Sequence, residues 1–208
     1  MIAIIDYDAG NLTSVSRALS HIGVENIVTN DIRKIEQAER IVFPGVGAAG
    51  AAMESLSRLG LDKALKKAFG QGKPILGICL GTQIILSYSE ENQTTCLGLM
   101  DGSVRGFSTE FQINGISNLK IPHMGWNQIR CLNSHPVLSG LAEMDEFYFV
   151  HSFFPFPGAK TNVIAVTDYG LDFPSVIGTK NIIATQFHPE KSGKPGLQIL
   201  KNFSRWEP

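Results

Sequence analysis

Pro74-Ile75-Leu76-Gly77-Ile78-Cys79-Leu80-Gly81-Thr82-Gln83-Ile84-Ile85-Leu86 sets two apolar runs on either side of a glycine-flanked cysteine. The first run is short, which suits a buried strand, and the second suits the start of a helix. The junction between them must be a tight turn. A side chain on such a turn is lifted out of the sheet, and the flanking glycines remove side chains that would crowd it. A helix N-terminus behind the sulfur favours negative charge on it. Cys79 is therefore a candidate nucleophile. The competing reading is a small buried hydrophobe, the commoner fate of a cysteine at a strand end.

Outward from this junction, strand and helix patterns alternate through the first half of the chain. Strand is predicted over 2–6, helix over 12–22 with Asn11 as N-cap and Gly23 as stop, and strand over 26–29. A buried strand over 40–43 ends at Pro44, helical stretches follow over 48–59 and 61–69, and 74–78 is the strand leading to Cys79. Such alternation with short links predicts a parallel sheet covered by helices. The second half reads differently. Stretches 103–107, 126–132, 147–153, 163–167, 175–178 and 182–186 read mostly as strands, and 195–206 carries Leu197, Leu200 and Phe203 at helical spacing. No repeat, linker or low-complexity run interrupts the chain, so one domain over 1–208 is expected.

Gln186-Phe187-His188-Pro189-Glu190 offers what a cysteine nucleophile needs, a base and a carboxylate to orient it. Pro189 biases His188 toward an extended conformation. Residues i and i+2 of an extended segment point to the same side, so imidazole and carboxylate can share one face. A lone His-x-Glu is mostly surface chemistry; beside a cysteine on a strand–turn–helix junction, the catalytic reading gains over both bland ones.

Composition sets bounds around these motifs. A chain of 208 residues with 43% hydrophobic and 18% charged residues fits one globular α/β domain with a substantial core. A net charge of −1 leaves no electrostatic footprint for nucleic acid or an anionic membrane. Cys79, Cys96 and Cys131 form no C-x-x-C, so neither a disulfide framework nor a zinc knuckle is readable and a reducing cytoplasm is expected. The apolar start stops at Asp6 with no basic residue before it, unlike a signal peptide, and no run approaches the length of a membrane span. Neither a cofactor nor a metal site is expected, because His123, His151 and Cys79 lack ligand spacing.

Gly45-Val46-Gly47-Ala48-Ala49-Gly50 satisfies G-x-G-x-x-G after a strand. A dinucleotide site needs an acidic residue about 20 positions on, ending the next strand. Phe69-Gly70-Gln71-Gly72 stands there instead. The alternatives are a plain glycine turn and a set of backbone N–H groups near Val46 and Gly47 that faces developing negative charge.

Gly-x-Cys-x-Gly followed far downstream by His-Pro-Glu resembles the class I (triad) glutamine amidotransferases, and the resemblance extends over nearly the whole chain. It implies a three-layer α/β fold, with a central mostly parallel sheet flanked by helices and additional antiparallel strands in the second half. It implies hydrolysis of glutamine by a triad of Cys79, His188 and Glu190, with an oxyanion strand at Pro44 to Gly47 and a second donor at the Leu80 N–H. By the same resemblance Gln83 faces the glutamine, Glu91 binds its ammonium, and Ser152 and Phe153 lie beside it through backbone groups. Many relatives carry tyrosine at Phe153 and methionine at Thr82. For Glu91 the alternative of a solvated charge pair with Glu90 stays open.

Four further stretches resemble one branch, the glutaminase subunits of imidazole glycerol phosphate synthases. They are Asp6-Tyr7 with Gly10-Asn11-Leu12-x-Ser14-Val15, Pro122-His123-Met124-Gly125-Trp126-Asn127, Tyr148-Phe149-Val150-His151-Ser152, and His188-Pro189-Glu190-Lys191-Ser192-Gly193. That branch implies a heterodimer with a (β/α)8-barrel cyclase subunit, which receives the ammonia in histidine biosynthesis. The docking face would include Asn11, Trp126, Tyr148 and Lys191. His123 and Trp126 could equally be a satisfied core histidine and a packed aromatic. The rival functions are a glutaminase feeding another synthase, such as a sugar-amination enzyme, a stand-alone cysteine hydrolase, and a binding module without catalysis.

Overall fold

The computed structural model describes residues 1–8 and 10–208. The first half folds as β1 (Ile2–Ile5), α1 (Leu12–His21), β2 (Asn26–Thr29), α2 (Ile32–Gln37), β3 (Arg40–Gly45), α3 (Ala49–Arg58), α4 (Leu61–Gly70), β4 (Ile75–Cys79) and α5 (Leu80–Ile84). The second half continues with β5 (Tyr88–Ser89), β6 (Thr94–Thr95), β7 (Gly102–Gly106), α6 (Phe107–Asn114), β8 (His123–Gln128), β9 (Arg130–Cys131), β10 (Glu146–His151) and β11 (Phe153–Pro157). It ends with β12 (Val163–Asp168), β13 (Asp172–Thr179), β14 (Ile182–Thr185) and α7 (Gly193–Phe203).

The main sheet runs β2-β1-β3-β4-β14-β13-β12-β9. Its β2 to β14 part is parallel, and β13, β12 and β9 add antiparallel pairs. The central strands are apolar throughout because both faces are covered. Side chains alternate between the two sides. Ile2 and Ile4 of β1 pack with Val15 and Leu19 of α1 and Leu200 and Phe203 of α7, while Ala3 and Ile5 pack with Ile35, Leu56 and Leu65 of α2 to α4. Helices thus lie on both faces, as a three-layer α/β fold requires. Two smaller sheets, β10-β8 and β11-β7-β5-β6, flank the catalytic end.

The sequence pattern misplaced several elements. It missed α2 and α6, whose helical runs are short and mostly solvent-facing. The single strand expected over 147–153 is two, β10 and β11, in different sheets and parted at Ser152. The strand expected over 126–132 likewise divides, and its main part, β8, begins earlier at His123. The last helix starts at Gly193 and buries Gly196, Ile199, Leu200 and Phe203, with Leu197 at the edge of the stripe. Among the described residues no helix is long and apolar enough to cross a membrane.

Candidate active site

Cys79 ends β4 with φ +53° and ψ −108°, a backbone conformation that non-glycine residues rarely adopt. The main sheet on one side and α5 on the other hold this strained turn, as is common for residues whose strain serves a site. The glycines around it serve close packing more than access to the sulfur. A Cβ on Gly81 would sit 1.8 Å from the Phe43 carbonyl oxygen, so α5 could not lie against β3 with any other residue there. Buried Thr82 donates its hydroxyl to the Thr185 carbonyl at 2.6 Å and ties α5 to β14.

β14 leads into the second motif. His188 is extended, with φ −98° and ψ 96°, as Pro189 requires. Glu190, however, does not follow on an extended segment. Pro189–Lys191 is a single 3₁₀ turn closed by the Lys191 N–H on the His188 carbonyl, and the turn swings the carboxylate back under the ring. His188 Nδ1 meets Glu190 Oε1 at 2.7 Å, with both side chains buried. Proline forces the turn because it suits the first position of a helical turn, where its missing N–H costs nothing. The meeting expected from strand alternation is therefore made by a turn.

With Nδ1 committed to Glu190, Nε2 is left without a hydrogen-bond partner on the side of Cys79. Burial by itself would push the imidazole below its ordinary value. The hydrogen bond to Glu190 and the closeness of Cys79, with the negative charge of both, overcome this and raise His188 to about 9. The ring therefore holds its proton at neutral pH, aimed at the place where a leaving group would depart.

Cys79 opens onto a pocket of about 480 Å³ whose lining includes Val46, Gly47, Leu80, Gln83, Glu91, Ser152 and Phe153. Every oxyanion and substrate residue expected from sequence is thus in one concavity. Glu90 and Glu91 are not merely a solvated pair. Glu91 Oε2 accepts from the Ala49 N–H at 2.7 Å, at the N-terminus of α3, and Glu90 Oε2 accepts from the Gly106 N–H at 2.9 Å. Glu91 is thereby fixed at the pocket wall. Phe153 contributes its carbonyl inward, to Gln83 Nε2 at 2.9 Å and His151 Nδ1 at 2.8 Å. The G-x-G-x-x-G run has other reasons for its glycines. Gly45 lies against the Tyr7 hydroxyl, which donates to the Pro44 carbonyl at 2.8 Å, and Gly47 has φ +102° beside the pocket.

Of the expected docking residues, Trp126 and Tyr148 are cross-strand neighbours on β8 and β10, their rings edge to face at 6.0 Å. Lys191 reaches over the Tyr148 ring, its Nζ 5.7 Å from the centroid. Trp126 and Met124 are 54% and 62% exposed, an apolar face beside the catalytic turn that the fold itself leaves uncovered. Asn11 is the N-cap residue of α1, though its side-chain oxygen takes the Ser14 hydroxyl at 2.8 Å rather than a backbone N–H.

Two functional residues escaped the sequence reading. Ser192 is buried; its hydroxyl donates to the His188 carbonyl at 2.6 Å and accepts the Tyr148 N–H at 3.0 Å, while the His188 N–H donates to the Tyr148 carbonyl at 3.0 Å. Gln186, also fully buried, places Nε2 at 3.8 Å from Cys79 Sγ. Both stand within the quoted motifs, but nothing in residue type alone says that a serine or a glutamine turns inward. His123 and His151 form a buried pair, Nδ1 to Nε2 at 3.0 Å, inside an aromatic cluster with Phe107, Phe149 and Phe173. Burial brings them down to about 4 and about 3, so both are neutral near pH 7. No group of three or more metal-ligating side chains occurs among the described residues.

A strained cysteine on the pocket wall and a buried histidine–carboxylate pair are the groups that a thiol-dependent amide hydrolase requires, although His188 and Glu190 do not themselves line the pocket. The family model for class-I glutamine amidotransferases matches residues 3–205, and the chain belongs to that family. The imidazole glycerol phosphate synthase subunit HisH of Nitratidesulfovibrio vulgaris (strain DP4) is 47% identical over 206 residues, covering 99% of this chain and 96% of that protein. The protein of the same name from Dehalococcoides mccartyi is 44% identical over 204 residues, covering 98% and 96%. Among solved structures, PurLQS from Thermotoga maritima superposes with a TM-score of 0.74 at 18% identity, covering 97% of this chain and 96% of that one. A glutamine amidotransferase crystal structure gives 0.71 at 17%, covering 98% and 99%. These two share the fold.

Proposed function

We propose that this protein is the glutaminase subunit of an imidazole glycerol phosphate synthase, one catalytic domain over 1–208 that hydrolyses L-glutamine and passes ammonia to a (β/α)8-barrel cyclase subunit. The observation that carries the chemistry is the buried Glu190–His188 pair, which leaves Nε2 of a protonated ring free for the reaction at Cys79, a residue of the pocket lining. The acceptor follows from relatives of that name, close to half identical from end to end.

Glutamine binds with its ammonium toward Glu91 and its side-chain amide over Cys79. The sulfur attacks the amide carbon, and the carbonyl electrons move onto oxygen, where N–H groups near Val46 and Gly47 and that of Leu80 receive them. The C–N bond then breaks as His188 gives its Nε2 proton to the leaving nitrogen, yielding ammonia and a glutamyl thioester. Neutral His188 next removes a proton from water as that water attacks the thioester. Sulfur departs as thiolate, glutamate leaves, and the imidazolium is restored. Ammonia released to bulk water would be protonated and diluted, so a synthase must cover the pocket mouth. The exposed Met124–Trp126 strand beside the turn is the face that suits this.

The test is glutamate release together with labelling by a glutamine-derived electrophile. Modification should fall on Cys79 and spare Cys96 and Cys131, and Cys79→Ser should abolish turnover while leaving the fold intact. Labelling elsewhere, or normal turnover in the variant, overturns the assignment.

A further inference from the structure

The amide of Gln186 has one orientation, and a hydrogen-bond chain that begins far from it dictates which. The Phe153 carbonyl can only accept. His151 Nδ1 lies 2.8 Å from it and so carries the hydrogen, which makes His151 Nε2 an acceptor in this neutral ring. His123 Nδ1, 3.0 Å away, must then donate to it, leaving His123 Nε2 to accept from Asn127 Nδ2 at 3.3 Å. The same Phe153 carbonyl takes a second donor, the Gln83 amino group at 2.9 Å, and that group also lies 3.1 Å from the Gln186 side-chain oxygen. Reversing Gln186 would set two amino groups against each other in a fully buried place, an arrangement with no hydrogen bond. The end of Gln186 that faces Cys79 Sγ at 3.8 Å is therefore its amino group.

We propose that Gln186 is a catalytic residue that donates a side-chain N–H to the Cys79 sulfur. The role extends the triad reading and rests on it. His188 holds a proton on one side of the sulfur, and Gln186 offers a fixed, uncharged donor on another. A donor on sulfur favours the thiolate that attacks, and again the thiolate that departs when water opens the thioester. It gives up no proton, so it serves both halves of the reaction alike. The Gln186 nitrogen faces the sulfur while its oxygen supports Gln83 on the pocket wall, so the donor's own contribution is read in the rate.

The experiment compares wild type, Gln186→Glu and Gln186→Met. Glutamate keeps the shape and the oxygen that accepts from Gln83, and in this fully buried place beside a thiolate its carboxyl is held neutral, so its O–H replaces the N–H for sulfur. Methionine keeps the bulk and removes both functions. Two quantities are read: the rate of Cys79 alkylation by iodoacetamide at pH 7 on the purified chain, and kcat and KM for glutamine with the synthase subunit present. Both rates are expected to fall about ten- to a hundredfold in Gln186→Met, the scale set by one hydrogen bond to a charged group, and to stay within about threefold of wild type in Gln186→Glu. Wild-type rates in Gln186→Met overturn the proposal, and so does a loss that appears wholly in KM. If the methionine variant does not fold, Gln186→Leu, equally without a hydrogen for sulfur, takes its place with the same outcomes. Wild-type protein that fails to alkylate at Cys79 refutes the triad reading instead, so the two failures are distinguishable.

Discussion

At the scale of the residue, the site depends on keeping one histidine charged where burial opposes it. His188 stands at about 9 in the fold against an ordinary 6.5, so the folded state binds its proton more tightly than the unfolded chain does. The resulting stabilisation is present in full below pH 6.5 and is lost as pH rises through about 9. Histidine NMR should follow this titration directly, and Cys79→Ala or Glu190→Gln should each move it downward by removing a partner. An unchanged midpoint in both variants contradicts the coupling. In the reaction, His188→Ala should remove most of the rate, about 10²–10⁴-fold. Glu190→Gln should bind glutamine and lose part of the rate, because the ring is less firmly held. Near-wild-type kcat in both would contradict the triad. His123 and His151 act with the opposite sign. Held neutral by burial, they add stability above pH 6.5 that is lost as pH falls toward about 4 and about 3. Urea unfolding at pH 7 and pH 5 should show the decline, and His123→Phe should flatten it.

At the scale of the element, β10 and the turn after β14 form one unit, joined through Ser192 and the His188 N–H. Ser192→Ala leaves the Tyr148 N–H without its partner and takes one of two donors from the His188 carbonyl, and the orphaned N–H costs roughly 1–3 kcal/mol. The thermal midpoint should drop, and kcat should fall with it because the His188 backbone is held by one contact fewer. A stable variant with normal kcat would show that the turn is held by Pro189 and Glu190 alone. This unit also shows what the sequence could and could not carry. The apolar runs of β1, β3, β4 and β14 and the stripes of α1, α3 and α4 were legible, because burial on two faces or on one helical face writes a period into the chain. The division of 147–153 at Ser152 was not legible, because β10 and β11 are both apolar and only their partner strands differ. The turn that carries Cys79 and the nearness of His188 to Glu190 were legible from Gly-x-Cys-x-Gly and His-Pro-Glu. The inward turns of Gln186 and Ser192 depend on contacts between segments distant in sequence, which no local pattern records.

At the scale of the whole molecule, the proposed docking face stands on the small β10-β8 sheet and is tied by hydrogen bonds to the turn that carries His188. The Trp126–Tyr148 pair lies on the strands that carry His123 and His151, and Lys191 follows Glu190 directly. A synthase seated there would press on the strand that holds the His188 backbone and on the rim formed by Val46 and Gly47. Gly47 at φ +102° occupies a region that side chains resist, so this backbone has conformations that other residues lack. We expect docking of the barrel subunit, with its nucleotide bound, to favour the arrangement that aims an N–H near Val46 at the oxyanion. One missing donor costs about 10²–10³ in kcat, so glutamate release should be weak in the isolated subunit and rise by at least that order in the loaded complex. Trp126→Ala and Lys191→Ala should weaken docking or blunt the rise, while Cys79 alkylation in the isolated subunit stays at the wild-type rate. The measurement is glutamate release with the subunit alone, with the barrel subunit, and with the barrel subunit and its ligand. Full activity in the subunit alone, indifferent to the partner, would leave the triad standing and remove the coupling.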